Sequence, residues 1–157
     1  MEQENQKEQI FHFVEQVNQR PGFGQLLGMR VEAAEQGRGR VRLTVDERLM
    51  HPQGLVHGGV IFSLADTAMA MALLATYPPG TRTGTIEAKI NYLRAVRSGQ
   101  LLAEAAIIHQ GRTTAVLEAT VYHLSEQGAE ERAVARVLST FYIFPREESS
   151  PSGERAG

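Results

Sequence analysis

Residues Gly58 to Tyr77 form one apolar run that holds a single formal charge, Asp66, and stops at Pro78-Pro79-Gly80. Wound as a helix, the run is small or apolar around nearly its full circumference, so it must be covered on several sides. It is rich in Ala, Gly, Ser and Thr rather than Leu and Ile and lacks a basic flank, which argues for a buried helix and against a membrane span. A chain of 157 residues is one domain by length, able to bury about two-thirds of its unfolded surface. The remaining sequence must therefore supply the cover.

Ile10, Phe13, Val14 and Val17 lie at helical spacing between Gln3 and Gln19, and Pro21-Gly22 ends that pattern. Arg30 to Glu35 and Arg40 to Val45 read as a hairpin about Gln36-Gly37-Arg38-Gly39, with Val41, Leu43 and Val45 on one face. After the long helix, Thr83 to Tyr92 alternates Ile86, Ala88, Ile90 and Tyr92 against Thr85, Glu87, Lys89 and Asn91. Leu101 to His109, Thr113 to Leu124 and Arg132 to Phe144 follow as strands, with turns at Gln110-Gly111-Arg112 and Ser125-Glu126-Gln127-Gly128. The order predicts an α+β fold in which a curved antiparallel β-sheet wraps around one long central helix. Residues 1–21 are expected to form an N-terminal helix, 22–144 the main domain and 145–157 a disordered polar tail.

Sixteen Lys and Arg stand against 18 Asp and Glu, a net charge of -2, so neither nucleic acid nor an anionic membrane is expected as a partner. With no cysteine, disulfides, thiolate metal sites and a cysteine nucleophile are excluded. The polar, acidic start has no secretory pattern, and a cytoplasmic location is the expectation. There is no G-x-S-x-G elbow, Walker loop or dinucleotide fingerprint.

The chemistry concentrates in His51-Pro52-Gln53-Gly54-Leu55-Val56-His57-Gly58-Gly59 and in Asp66 beyond it. A glycine-bearing loop that runs into a helix N-terminus presents unpaired N–H groups and the positive end of the helix dipole. The N–H of Gly58 or Gly59 is thus a candidate oxyanion donor; alternatively the two glycines only permit a tight turn and close packing. Asp66 needs a partner in so apolar a helix: either a hydroxyl such as Ser63 or Thr67 or a second chain satisfies it, or it serves as general base or nucleophile. Eight residues separate Gly58 from Asp66, about 12 Å of helix. The two can meet at one carbonyl only if Asp66 comes from a second copy whose helix runs antiparallel beside the first. His51 and His57 match no metal-ligand spacing, so no metal is expected, and His57 is read as bracing the loop or contacting substrate. His12, His109 and His123 read as ordinary half-buried residues.

Together the loop and helix read H-x-x-G-x-x-H-G-G-x-x-x-x-L-x-D, which resembles the hotdog-fold acyl-CoA thioesterases of the PaaI type. The likeness runs from about Gly22 to Ile143 and includes Ile90-Asn91-Tyr92-Leu93-Arg94 with Arg97 and Gly99, and Gly111-Arg112-Thr113. It implies a thioester carbonyl polarised by the Gly58 N–H beside Gly59, with Asp66 of a neighbouring subunit attacking it or activating water. His57 would help position the thioester, and Thr85 would stand near the attacking water. Arg112 and Thr113 are candidates for the CoA end, and no cofactor is implied beyond the CoA of the substrate. His51 departs from the Asn of many relatives and can ionise near neutral pH. The expected substrates are aromatic acyl-CoAs such as phenylacetyl-CoA, or medium-chain ones. A homo-oligomer is expected, at least a dimer and by preference a tetramer, with active sites at subunit interfaces. The competing readings are a non-catalytic acyl-CoA-binding hotdog protein, which the presence of Asp66 disfavours, and a hotdog hydratase suggested faintly by His51-Pro52.

Overall fold

The computed structural model of the protein describes residues 1–125 and 131–145. The expected turn after Ser125 and the expected tail from Arg146 onward lie outside the described residues. Helix α1 spans Glu2–Gln19, a single short turn α2 spans Phe23–Leu26, and α3 spans Gly58–Leu74. The strands are β1 (Arg30–Glu35), β2 (Arg38–Thr44), β3 (Thr83–Tyr92), β4 (Gln100–Gln110), β5 (Thr114–Leu124) and β6 (Glu131–Ile143). They form one antiparallel six-stranded sheet in the order β1-β2-β4-β5-β6-β3, laid around α3 as the sequence predicts.

α3 is fixed to the sheet by small residues. A Cβ placed on Gly39 of β2 would lie only 2.2 Å from the Ala68 carbonyl oxygen, so strand and helix backbones touch directly there. Ala65, Ala68, Met69, Ala72 and Leu73 of α3 are fully buried against Val41 and Leu43 of β2, Leu101 and Ala103 of β4 and Leu117 of β5. The C-terminal end of α3 is tied to two hairpin turns: Gly37 N–H donates to Thr76 Oγ1 at 2.6 Å and the Tyr77 hydroxyl to the Gly111 carbonyl at 2.8 Å. The helix stops at Leu74, three residues short of the apolar run, because Pro78 disfavours a helical Tyr77.

α3 is covered on several sides, as expected, and leaves one stripe open: Gly59, Phe62, Ser63, Asp66, Thr67, Ala70 and Leu74 are half-exposed to exposed at helical spacing. The simple alternation expected of the strand after α3 does not hold. β3 carries a bulge between Thr85 and Glu87, so the register pairs Thr85 with Phe141 before it, and Ala88 with Ser139, Ile90 with Val137 and Tyr92 with Ala135 after it. Those four β6 partners all lie on the buried face, so Thr85 shares the helix-facing side with Tyr92, while Ile86 at the bulge is 57% exposed. A periodicity of two assigns Thr85 to the opposite face because an inserted residue leaves no mark in the alternation.

Candidate active site

The loop before α3 is pinned by its backbone. Met50 and Val56 form an isolated bridge, His51 N–H donates to Leu55 O, Val56 N–H to Val96 O and His57 N–H to Leu49 O, each at 2.9 Å. His57 then caps α3, its Nδ1 accepting from the Gly59 N–H at 2.9 Å. The Gly59 donor is thereby occupied. The Gly58 N–H has no acceptor among the described residues, which makes it the available donor of the pair.

Neither glycine has a positive φ, so what each supplies is room. A Cβ on Gly59 would meet His57 Nδ1 at 2.9 Å, and one on Gly58 would meet the Tyr92 hydroxyl oxygen at 3.0 Å. Close packing and an open donor therefore coexist, since the ring that needs the space at Gly58 engages the carbonyl and not the amide. Tyr92 donates to the Gly58 carbonyl oxygen at 2.8 Å. Partial burial pushes its hydroxyl above the ordinary tyrosine range, so it remains a donor at neutral pH.

Asp66 is half-buried on the uncovered stripe of α3. The nearby helix hydroxyls do not satisfy it: Ser63 Oγ donates to the Gly59 carbonyl at 2.7 Å and Thr67 Oγ1 to the Ser63 carbonyl at 2.8 Å. Its partner is Thr85, whose Oγ1 donates to Asp66 Oδ1 at 2.8 Å, leaving Oδ2 unbonded among the described residues. The bulge in β3 thus places Thr85 on Asp66 at one end of the strand and Tyr92 on Gly58 at the other, so β3 runs antiparallel along the line from one candidate group to the other.

His51 stands in the loop with its Nδ1 accepting from the Gln53 N–H at 3.1 Å. It lines a groove of about 350 Å³ together with Gly58, Ile61, Tyr92 and Leu93. A larger groove of about 980 Å³ runs between α1 and β1 and contains none of the candidate residues. Arg112 and Thr113 are exposed in the β4–β5 turn, which is bonded to Tyr77 beyond the far end of α3. About 25 Å of helix therefore separates them from Gly58 of the same chain. Among the described residues no three His, Asp or Glu side chains gather as a metal set. His12 and His109 are exposed, and His123 contacts the Ser98 carbonyl at 2.8 Å. Tyr92 lies in the Ile90–Arg94 stretch that carries the resemblance, but its place in the alternation points only to a core face, and nothing local signals where a strand hydroxyl will end.

No helix among the described residues is long and apolar enough to cross a membrane. The model of the thioesterase superfamily matches residues 53–130, the segment that holds His57, Gly58, Gly59, Asp66, Thr85, Arg112 and Thr113. A variant of a thioesterase from Pseudomonas aeruginosa is 32% identical, with 85% of this chain and 94% of that one covered and a TM-score of 0.74. The PaaI protein from the phenylacetic acid degradation operon of E. coli is 25% identical, with 90% and 95% covered and a TM-score of 0.74. The 1,4-dihydroxy-2-naphthoyl-CoA hydrolase of Listeria monocytogenes is 29% identical over 106 residues, 68% of this chain and 86% of that one. With a curved antiparallel sheet wrapped on α3 and a glycine-bearing loop opening that helix, the chain belongs to the thioesterase superfamily of hotdog fold and is a thioester hydrolase.

Proposed function

We propose that the protein hydrolyses an acyl-CoA to a free acid and CoA, the acyl group being aromatic, as in phenylacetyl-CoA, or of medium chain length. The observation that carries this reading is the pair of unspent groups on one side of the molecule: the Gly58 N–H without an acceptor and the Asp66 carboxylate with one oxygen open. The thioester carbonyl oxygen accepts from Gly58 at the positive end of α3, where negative charge develops as the carbonyl is attacked. Asp66 either removes a proton from the attacking water, and the carbon–sulfur bond breaks as that proton passes to the leaving CoA sulfur, or attacks the carbonyl itself, expelling CoA thiolate and forming an acyl–Asp66 anhydride. Water then hydrolyses the anhydride to the free acid and the restored carboxylate, with the released proton balancing the thiolate. Thr85 holds Oδ1 so that Oδ2 faces the reaction, and His57 and His51 flank the carbonyl end of the groove.

A second copy of the chain completes the site. β3 is the last strand of the sheet, with Ile86, Tyr92 and Leu93 half or more exposed, and the uncovered stripe of α3 lies beside it. Antiparallel pairing of two β3 strands about their middle sets the Thr85 end of one opposite the Tyr92 end of the other. Asp66 of one copy then faces Gly58 of its mate, which removes the separation of about 12 Å within one helix. The same two-fold operation can bring Arg112 and Thr113 to the mate's site, where a cation suits the nucleotide phosphates. The assembly is at least a dimer, two of which can associate as a tetramer, and works in the cytoplasm without a metal or organic cofactor.

The test is release of free CoA from a panel of aromatic and aliphatic acyl-CoAs by the wild type and by Asp66→Ala. The expected result is turnover on part of the panel that falls by roughly a thousandfold or more in a variant of unchanged melting temperature. Binding of acyl-CoA with no hydrolysis anywhere on the panel would replace the hydrolase mechanism by a binding role.

A further inference from the structure

We infer that Tyr92 is a positioning residue that, together with His57, clamps the Gly58–Gly59 peptide unit and so aims the Gly58 N–H. The two side chains hold opposite poles of one peptide plane: Tyr92 donates to its carbonyl oxygen at 2.8 Å, and His57 Nδ1 accepts from its N–H at 2.9 Å. The preceding peptide is anchored as well, since the His57 carbonyl accepts from the Val60 N–H at 2.9 Å. Gly58 Cα therefore sits between two fixed planes, and the direction of its own N–H follows from them.

The clamp answers a specific weakness. Two successive glycines at a helix start have the widest backbone freedom of any residues, and the first turn of a helix has the fewest internal hydrogen bonds to resist fraying. An oxyanion donor stabilises a transition state only to the extent that it is oriented before the charge develops. A stiffer residue at Gly58 would crowd the clamp itself, because a Cβ there would stand 3.0–3.3 Å from three atoms of the Tyr92 phenol, which would have to shift. Rigidity is supplied from outside the helix, by a strand residue in contact with the glycine. Tyr92 belongs to β3, which also presents Thr85 to Asp66, so one strand sets both candidate groups.

The inference rests on the reading of Gly58 as the donor to the thioester carbonyl, and Tyr92→Phe in the full chain separates the two. The change deletes the hydroxyl and keeps the ring. With the best acyl-CoA of the panel, kcat should fall about tenfold while KM stays within about twofold, the mark of an interaction made mainly in the transition state. Amide hydrogen exchange at Gly59, followed by NMR, should quicken at least severalfold with no change in the exchange of Ala68 and Ala72 deeper in α3. His57→Gln, which removes the other arm, should quicken the same amide. Unchanged exchange at Gly59 in Tyr92→Phe would overturn the clamp whether or not the protein turns over. Faster exchange with an undiminished kcat would uphold the clamp as a structural device and overturn its role in aiming the donor. A wild type without thioesterase activity would instead sink the reading of Gly58, while the exchange data still decide the clamp.

Discussion

β1, at one edge of the sheet, is six residues long, breaks register between Val31 and Ala33, and is capped at Val31 by α1. Asn18 of α1 uses both ends of its amide on Val31, donating to its carbonyl at 2.9 Å and accepting from its N–H at 2.8 Å. β3, at the other edge, runs for ten residues with no strand beyond it among the described residues and displays Ile86 and Tyr92. A long open edge with apolar side chains is a template for pairing, and proteins that do not use one block it, as this chain blocks β1. The contrast singles out β3 as the edge on which the proposed second copy would pair. That edge is also the one that holds Thr85 and Tyr92 against the two groups proposed to act on the thioester.

In order of their effect on turnover, the first way to break this comparison is to charge the open edge. Ile86→Lys combined with Leu93→Lys places two cations on side chains that are already exposed in one copy, so a single copy loses little stability. Sedimentation should show the assembly falling to 17.3 kDa, and turnover should drop roughly a hundredfold or more, because Gly58 and Asp66 then have no shared carbonyl. An unchanged mass would mean that copies meet elsewhere and that the open edge has another use. A smaller effect belongs to Thr85→Val, which keeps shape and deletes the bond to Asp66. Hydrogen bonds to charged groups contribute about 1.5–3 kcal/mol, so turnover should fall roughly ten- to hundredfold. Thr85→Ser should restore most of it, and full activity in Thr85→Val beside a loss in Thr85→Ser would indicate that the methyl packing at the bulge matters and the hydroxyl does not.

The fold was largely legible because its signals are periodic. The buried helix, the two strands before it and the four after it follow from spacing alone, and the sharp stops at Pro21-Gly22 and Pro78-Pro79-Gly80 mark their limits within a few residues. What periodicity misses are single insertions and single hydroxyls. The bulge at Ile86 reverses the facing of Thr85, and no composition or spacing announces it. The site divides in the same way: His57, Gly58, Gly59 and Asp66 stand out as types that are anomalous where they occur, whereas Tyr92 and Asn18 look ordinary in a strand and a helix. The helix-capping action of His57 was within reach as a brace for the loop, but the choice of Gly59 over Gly58 as the amide it consumes depends on a rotamer.

The least effect on turnover, and the sharpest test of the capped edge, comes from Asn18→Ala. The substitution removes both partners of the Val31 backbone while leaving Val14, the most buried α1 side chain, in place. Two partly buried backbone groups left without partners cost about 1–3 kcal/mol in total, because water can reach an edge strand in part. In a chain of this length each kcal/mol lowers the melting temperature by about 2–4 °C. Turnover per folded molecule should stay at the wild-type level, since α1 touches neither α3's N-terminus nor β3 through any bond of the site. Mass in solution should also hold if copies pair through β3 as proposed, because Asn18 lies at the opposite edge of the sheet. A variant that instead gains mass with time would show that the Asn18 amide is what keeps β1 from pairing, and that the two edges differ by one side chain more than by length or bulge.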